Sequence, residues 1–245
     1  MPDHGPAILE GIGLSKSFGA LRVVNDVNFT LRVNEAVGIV GPNGAGKTTL
    51  LTVLSGGLKA TEGAVRFRGQ DVSSLDAVGR SRLGIARTHQ VPRPFAGMTV
   101  YENVFVAATV PGRQRGDDAH RACVEALDLC DMLRIANRRA ETLGLLDRKR
   151  LELARVLATN PCAVLLDEIG GGLSDEETVQ LVATIGEMRR RGMAIVWIEH
   201  LVHVLLQVVE RLVCMVSGRI IADGDPQAVM ADPDVVTGYL GSATT

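Results

Sequence analysis

The chain has 245 residues, 46% of them hydrophobic, and a formal net charge of −2 at pH 7. This length and composition allow one large core, or a core with a subdomain. The near-neutral charge and the aromatic content of 3% argue against a nucleic acid partner, which would favour a basic or base-stacking surface. We expect no membrane-spanning helix and no secretory signal, because long apolar runs and a basic, then apolar start are missing. The four cysteines lack C-x-x-C spacing, so free thiols in a reducing cytoplasm are the simplest interpretation.

The first part of the chain predicts strands around one helix. Residues 7–34 alternate between polar and apolar side chains in short runs, which is typical of an antiparallel sheet. An apolar strand is predicted over residues 36–40, a helix over 48–58 and another alternating strand over 64–68. A strand over 83–90 then leads into a proline-containing turn that cannot be regular structure.

The middle of the chain predicts helices, and the last part returns to alternating strands and helices. Thr99 and Glu102 have the spacing of a capping box, so a helix is expected to begin there. Further helices are predicted over residues 117–130, 147–159, 175–191 and 201–209, and a last amphipathic segment covers 226–240. Apolar strands are predicted over 162–166, 193–198 and 211–216, with a hairpin strand over 219–224. Apolar strands that alternate with helices indicate a mostly parallel sheet covered on both faces.

The loop after the strand at residues 36–40 carries a phosphate-binding motif. It fits G-x-x-x-x-G-K-[ST] over Gly41, Pro42, Asn43, Gly44, Ala45, Gly46, Lys47 and Thr48, with Thr49 next. The glycines let successive backbone N–H groups turn toward an anion, and the following helix adds the positive end of its dipole. Lys47 can neutralise the β- and γ-phosphates, and the Thr48 hydroxyl is placed to bind Mg²⁺.

Polar residues follow three other predicted strands, and the carboxyl ends of strands are where ligands bind in an open α/β sheet. We predict that Asp167 holds Mg²⁺ through water and that Glu168 polarises the attacking water as general base. His200 is predicted to sense the γ-phosphate. Gln90 could reach both Mg²⁺ and the attacking water, at the joint between the sheet and the helical segment.

Together these motifs resemble the ATP-binding subunit of ABC transporters, over about residues 8–240. The resemblance implies an ATP hydrolase with ATP and Mg²⁺ as cofactors. In its terms the glycine loop is the Walker A motif, Asp167 and Glu168 are Walker B, and Phe18 stacks on adenine. Gln90 stands for the Q-loop and His200 for the switch histidine.

The fold class that follows is α/β. We expect a P-loop NTPase (RecA-like) core with an N-terminal antiparallel β-sheet and an inserted α-helical subdomain. Residues 1–245 would form a single ABC ATPase domain. The nucleotide-binding core would comprise residues 7–90 plus 155–224, the helical subdomain 91–154, and a C-terminal helical tail 225–245.

A finer resemblance is to the ATPases of branched-chain amino acid importers, carried by residues 83–90, 98–104, 150–155, 197–200 and the tail at 230–241. It implies a subunit at the cytoplasmic face of the membrane that powers import of branched-chain or related amino acids. Its partners would be transmembrane permease subunits, a second ATPase subunit in a homo- or heterodimer and, indirectly, a periplasmic or extracellular binding protein. An ATPase for another substrate, such as a urea or amide importer or a lipid exporter, and a soluble non-transport ABC ATPase remain alternatives.

The chain departs from the family at the signature L-S-G-G-Q, which aligns with residues 143–147. Gly144 replaces the serine and Leu146 the second glycine, while Ile169 replaces the usual proline after Walker B and His89 the usual phenylalanine. One interpretation is a working variant in which the helix N-terminus still presents N–H groups to phosphate. The other is a weakened site that is slow or needs an unlike partner. We favour the working variant, since the other site residues are intact.

An apolar patch beside the proline-containing turn is a candidate docking surface for the permease. It includes Val91, Phe95 and Met98, and the turn over residues 90–95 would transmit motion between the subunits. The alternative is that these side chains belong to the ordinary core of the helical segment.

Overall fold

The structure is a computed structural model that describes residues 5–89 and 92–240, with Leu240 described by its backbone alone. The strands within these ranges are β1 Ala7–Phe18, β2 Leu21–Arg32, β3 Ala36–Val40, β4 Glu62–Phe67, β5 Gln70–Asp71, β6 Ile85–Arg87, β7 Ala163–Asp167, β8 Ala194–Ile198, β9 Arg211–Val216 and β10 Arg219–Gly224. The helices are α1 Lys47–Leu54, α2 Ala77–Leu83, α3 Val100–Thr109, α4 Gly116–Leu129, α5 Leu145–Leu157, α6 Asp175–Arg190, α7 Val202–Leu205, α8 Pro226–Ala231 and α9 Pro233–Val235. Short 3₁₀ turns cover Leu133–Ile135 and Ala140–Thr142, and a π-helical turn covers Val236–Leu240.

Among the described residues, the strands form two sheets. The first is antiparallel, in the order β2-β1-β4-β5. The second has the order β10-β9-β3-β8-β7-β6 and is parallel except for β10. The predicted α/β class is therefore confirmed, with an N-terminal antiparallel sheet and a mostly parallel sheet. The strand order makes β3, β8, β7 and β6 neighbours, so their carboxyl ends meet at one edge of the sheet.

Strand β3 is buried on both faces, as its continuous apolar run predicts. Val37 and Ile39 belong to the apolar cluster beneath the antiparallel sheet, which also includes side chains of α1. Ala36 and Val40 point the other way, into the cluster that includes the helices. The period of two along a strand accounts for this division. The strand that leads into the glycine loop is thus fixed from both sides.

The helical segment packs α3, α4 and α5 against one another. The predicted capping box is confirmed, because Thr99 and Glu102 exchange side-chain and backbone hydrogen bonds at the start of α3. The apolar side chains of these helices and those on one face of the parallel sheet form a continuous cluster. The division into a core, a helical subdomain and a tail stays our proposal. No helix within residues 5–89 and 92–240 is both long and apolar enough to cross a bilayer.

Several predicted bounds were wrong. The short strands expected over residues 7–34 are two long strands, β1 and β2. Helix α1 ends at Leu54 rather than at residue 58, because Gly56 adopts a φ of +83°, which stops the helix. The strand expected from residue 83 begins at Ile85, since Gly84 caps α2 with a φ of +109°. Helix α7 covers only Val202–Leu205 of the predicted residues 201–209, which continue as turns.

A buried arginine holds the far end of the helix that follows the glycine loop. Arg80 on α2 is 2% exposed, and its Nη1 donates to the carbonyls of Val53 and Leu54 at 2.6 and 2.8 Å. Its Nε donates to the carbonyl of Val72 at 3.1 Å. Burial lowers the pKa of this guanidinium, and the nearby Asp71 opposes that shift. The terminal carbonyls of α1 are therefore satisfied by a side chain from a neighbouring helix.

We predict that Arg80→Met lowers the free energy of unfolding by about 3 kcal/mol, because buried carbonyls lose their donors. Urea denaturation of the purified chain measures this change. Arg82→Met is the matched control, because Arg82 lies on the same helix and is exposed, and it should change stability by less than about 0.5 kcal/mol. An Arg80→Met protein as stable as the control would show that these bonds do not anchor α1.

Candidate nucleotide-binding site

The loop between β3 and α1 can be built only with its glycines. Gly41, Gly44 and Gly46 have φ values of +142°, +79° and +99°. A Cβ on Gly41 would lie 2.0 Å from the carbonyl oxygen of Met215, and one on Gly46 would lie 2.5 Å from that of Val23. Strand, glycine-rich loop and helix are the context that the motif requires. The predicted phosphate-binding loop is therefore in place between the elements that it needs.

Lys47 lies inside this loop and is 5% exposed. Its Nζ donates to the carbonyls of Gly41 and Pro42 at 2.6 and 2.9 Å. Burial lowers the pKa of Lys47, and the carboxylates of Glu168 and Asp167 oppose that shift. The ammonium is thus held at the loop, next to two acidic side chains.

Thr48 and Asp167 come together although they are far apart in the chain. Thr48 is the second residue of α1 and Asp167 ends β7. The Thr48 Oγ1 donates to Asp167 Oδ1 at 3.1 Å. The Asp167 side chain is buried, and its other oxygen forms an ion pair with Arg87 at 2.7 Å. The sequence analysis placed Thr48 and Asp167 at the same metal ion, and the structure brings these two residues together. The sequence analysis did not predict a role for Arg87, although a lone charged residue in a buried edge strand could have suggested one.

Glu168 and His200 also meet at this edge of the sheet. His200 Nε2 lies 2.9 Å from Glu168 Oε1. Glu168 follows β7 with a φ of +47°, and its backbone N–H donates to the carbonyl of Ile198 at the end of β8. Glu168 lines a cleft of about 150 Å³ together with Val23 and the loop residues Asn43, Gly44, Ala45, Gly46, Lys47, Thr48 and Thr49. The two residues predicted for water activation and phosphate sensing are thus adjacent at the glycine loop.

Glu199 is a second residue that the sequence analysis missed. It is 4% exposed, and its Oε1 accepts a hydrogen bond from the backbone N–H of Gly170 at 2.6 Å. Burial raises the pKa of Glu199, and that hydrogen bond opposes the shift. A Cβ on Gly170 would lie 2.8 Å from the same oxygen. Glu199 therefore holds the loop that follows Glu168, and an acidic residue directly after an apolar strand was the available signal.

The other two predicted site residues are Gln90 and Phe18. Gln90 lies outside the described residues, as does Val91 of the docking patch. Phe18 ends β1 and is 49% exposed, with Lys16 Nζ 5.1 Å from its ring centroid. It pairs with Leu21 in the hairpin of β1 and β2, and Val23 of that hairpin lines the cleft. The stacking of Phe18 on adenine stays a prediction.

The segment that replaces the family signature begins a helix. Gly144 is the N-cap of α5, and Leu145, Leu146 and Asp147 form its first turn. Gly144 has no side chain that could cap the helix or reach a phosphate, and Leu145 is 44% exposed. The Asp147 carboxylate is an acid within the first turn, 3.8 Å from Arg150. The predicted N-terminus at 144–147 is therefore present, with leucines and a carboxylate in place of the signature's small and polar residues.

The apolar patch is exposed where it is described. Phe95 and Met98 are 46% and 37% exposed, so they do not belong to a buried core. Arg155 on α5 lies over the Phe95 ring at 5.4 Å and pairs with Glu152 at 3.0 Å. Glu152 also pairs with His89 at 2.8 Å, and the pKa of this largely buried carboxylate is lowered by His89 and Arg155 against the effect of burial. The patch thus lies beside a charged joint between β6 and α5.

A glycine loop with the phosphate-binding motif, a strand-end aspartate and an adjacent glutamate are the features of a P-loop nucleoside triphosphatase. The protein family described as ABC transporter matches residues 24–170, more than half of the chain. A solved ATP-binding cassette of an ABC transporter, in its ADP conformation, is similar with a TM-score of 0.88 and 29% identity, covering 96% of this chain and 99% of that chain.

Similar curated proteins, named as ATP-binding proteins of transport or export systems, align with nearly the whole chain. The high-affinity branched-chain amino acid transport ATP-binding protein LivG of Escherichia coli is 37% identical, covering 94% of this chain and 96% of LivG. BraF of Pseudomonas aeruginosa, described in the same words, is 34% identical, with coverages of 96% and 98%. The lipopolysaccharide export system ATP-binding protein LptB of Haemophilus influenzae is also 34% identical, with coverages of 96% and 98%. The chain belongs to the ABC transporter family, as one of its ATP-binding subunits and an ATP hydrolase.

Proposed function

We propose that this chain powers the import of branched-chain or related amino acids. It hydrolyses ATP with Mg²⁺ at the cytoplasmic face of the membrane, where permease subunits hold it. The observation that carries the enzymatic part is the meeting of Lys47, Thr48, Asp167, Glu168 and His200 at one edge of the parallel sheet. The transport assignment is supported by relatives named for branched-chain amino acid transport at 34–37% identity.

The donor set fits Mg²⁺. The Thr48 hydroxyl, as a direct ligand, and the Asp167 carboxylate, through water, offer hard oxygen donors, and their oxygens lie 3.1 Å apart. Within the described ranges no group of three or more His, Cys, Asp or Glu side chains could hold a metal ion. We propose that phosphate oxygens, water and the Gln90 side chain supply the remaining ligands. When bound with ATP, Mg²⁺ supplies charge neutralisation for the phosphates.

The chain's own residues divide the remaining work. The backbone N–H groups of the glycine loop and the Lys47 ammonium bind the phosphates. Glu168 takes a proton from the attacking water as general base, a role worth about 10²–10⁴ in rate. His200, 2.9 Å from that carboxylate, orients Glu168 and contacts the γ-phosphate. Gln90 is proposed to reach the same region, and Phe18 to stack on the adenine.

A second ATPase subunit is needed to enclose the nucleotide. The cleft at the glycine loop measures about 150 Å³, whereas pockets that bury a small ligand begin near 300 Å³. We propose that two subunits face each other head to tail, so that the first turn of α5 of one subunit covers the ATP on the other. A homodimer would place Gly144, Leu145 and Leu146 against both γ-phosphates. The backbone N–H groups of that turn then replace the missing serine hydroxyl, which makes this chain a working variant.

The permease would dock at the joint between β6 and α5. A groove of about 310 Å³ there is lined by residues that include Arg87, His89, Glu152 and Arg155. The exposed Phe95 and Met98 lie beside it and offer apolar contacts to a short cytoplasmic helix. Binding there would carry nucleotide-dependent motion to the transmembrane subunits.

The homodimer predicts the behaviour of Glu168→Gln. This variant should keep ATP binding and lose hydrolysis at least about 100-fold, so an ATP-bound dimer accumulates in saturating Mg-ATP. Size-exclusion chromatography with light scattering measures the mass. The double variant Lys47→Ala/Glu168→Gln is the control and should stay monomeric. A strictly monomeric Glu168→Gln protein that still binds ATP would contradict the homodimer and favour an unlike partner.

Leucine uptake tests the transport assignment. Cells without this chain should lose uptake of labelled leucine, wild-type protein should restore it, and Glu168→Gln should not, because binding without hydrolysis cannot complete a cycle. Immunoblots of the membrane fraction check that both proteins are present at equal levels. Unchanged leucine uptake in the deletion strain would contradict the assignment. Loss of lipid export instead would favour the function for which the relative LptB is named.

A further inference from the structure

Arg87 ties the aspartate of the site to the helix after the glycine loop. It is the last residue of β6, whose neighbour in the sheet is β7. Its Nη2 lies 2.7 Å from Asp167 Oδ2, and its Nη1 donates to Thr52 Oγ1 at 2.6 Å. The guanidinium therefore bridges the end of β7 and helix α1 with two separate N–H groups.

Each oxygen of the Asp167 carboxylate has its own partner. Oδ1 accepts from the Thr48 hydroxyl, and Oδ2 accepts from Arg87. The Asp167 side chain is 1% exposed and that of Arg87 is 20% exposed, so water competes little for these bonds. Two fixed contacts set the plane of the carboxylate, and they leave Oδ1 beside the hydroxyl with which it would share a metal ion.

Thr52 extends the same chain of contacts. Its hydroxyl donates to the backbone carbonyl of Thr48 at 2.5 Å while accepting from Arg87. Arg87 is thus linked to Thr48 through Asp167 and through Thr52. A guanidinium has a rigid fork of donors that can serve two acceptors at once, whereas a lysine ammonium is a point charge on a flexible stem.

We infer that Arg87 is a positioning residue for Mg²⁺ binding: it orients the Asp167 carboxylate so that Oδ1 faces the metal ion of Mg-ATP. This inference rests on the proposed function of the site as an Mg-ATPase. Arg87, at the end of β6, would then belong to the nucleotide site although it lies outside the Walker A and Walker B motifs named above. An ion pair that only stabilised the fold would leave the Mg²⁺ dependence of nucleotide binding unchanged.

The test compares Arg87→Lys, Thr52→Val and the control Arg82→Met. Affinity for a fluorescent ATP analogue is measured in EDTA and across a Mg²⁺ titration, and thermal unfolding is followed in parallel. Arg87→Lys keeps the charge but cannot hold Asp167 and Thr52 together. It should raise the Mg²⁺ concentration at half-maximal binding at least fivefold, while the affinity in EDTA stays within twofold of wild type. Thr52→Val should raise the Mg²⁺ concentration at half-maximal binding about twofold, and Arg82→Met should leave that concentration at the wild-type value.

The outcomes separate this inference from the proposed function. A wild-type chain that binds the analogue equally with and without Mg²⁺ would contradict the proposed function and this inference with it. If wild type responds to Mg²⁺ and Arg87→Lys responds at the same concentration, the positioning role alone fails, even when the variant melts at a lower temperature. Should Arg87→Lys not fold, Thr52→Val decides: an unshifted Mg²⁺ midpoint in that variant overturns the inference.

Discussion

The site depends on one buried carboxylate. Asp167 ends β7 inside the protein, where an unpaired negative charge would be strongly unfavourable. Thr48 and Arg87 satisfy its two oxygens, and the Thr88 hydroxyl accepts from its backbone N–H at 3.2 Å. These partners come from α1, from β6 and from the segment directly after β6. The elements around the cleft are therefore joined at a single residue.

The strand order of the parallel sheet places other predicted site residues at the same edge as Asp167. Because β8 lies between β3 and β7, the residues that follow these three strands share one edge. The glycine loop follows β3, His200 follows β8 and Glu168 follows β7, and the last two are in contact. Glu199 then holds the loop after Glu168 through the N–H of Gly170. In the function that we propose, binding, proton transfer and phosphate sensing each belong to a different strand end.

Local patterns in the sequence predicted the parts of this site, and the fold determined their contacts. The glycine loop, the strand-end carboxylates and His200 could be identified because each has a motif or follows an apolar run. Arg87, Arg80 and Glu199 were missed, because their contacts depend on partners brought close by strand order and helix packing. The position of Arg87 in a buried strand and of Glu199 directly after one was the available signal, and it does not name those partners. Arg80 reaches carbonyls 26 and 27 residues away, and no short-range pattern encodes that. Helix ends were misjudged where a glycine with positive φ, such as Gly56, stops the helix.

The rate of ATP hydrolysis by the Asp167→Asn variant most directly tests whether this carboxylate is required for an Mg²⁺-dependent ATPase site. Asparagine keeps the shape but removes the charge that Arg87 and the metal ion share. The account predicts a loss of hydrolysis of at least 100-fold in Mg-ATP, about 2.7 kcal/mol of transition-state stabilisation, with ATP affinity in EDTA retained. Lys59→Ala, at an exposed position just after α1, should hydrolyse ATP at the wild-type rate. A folded Asp167→Asn protein that hydrolyses Mg-ATP as fast as wild type would contradict the account.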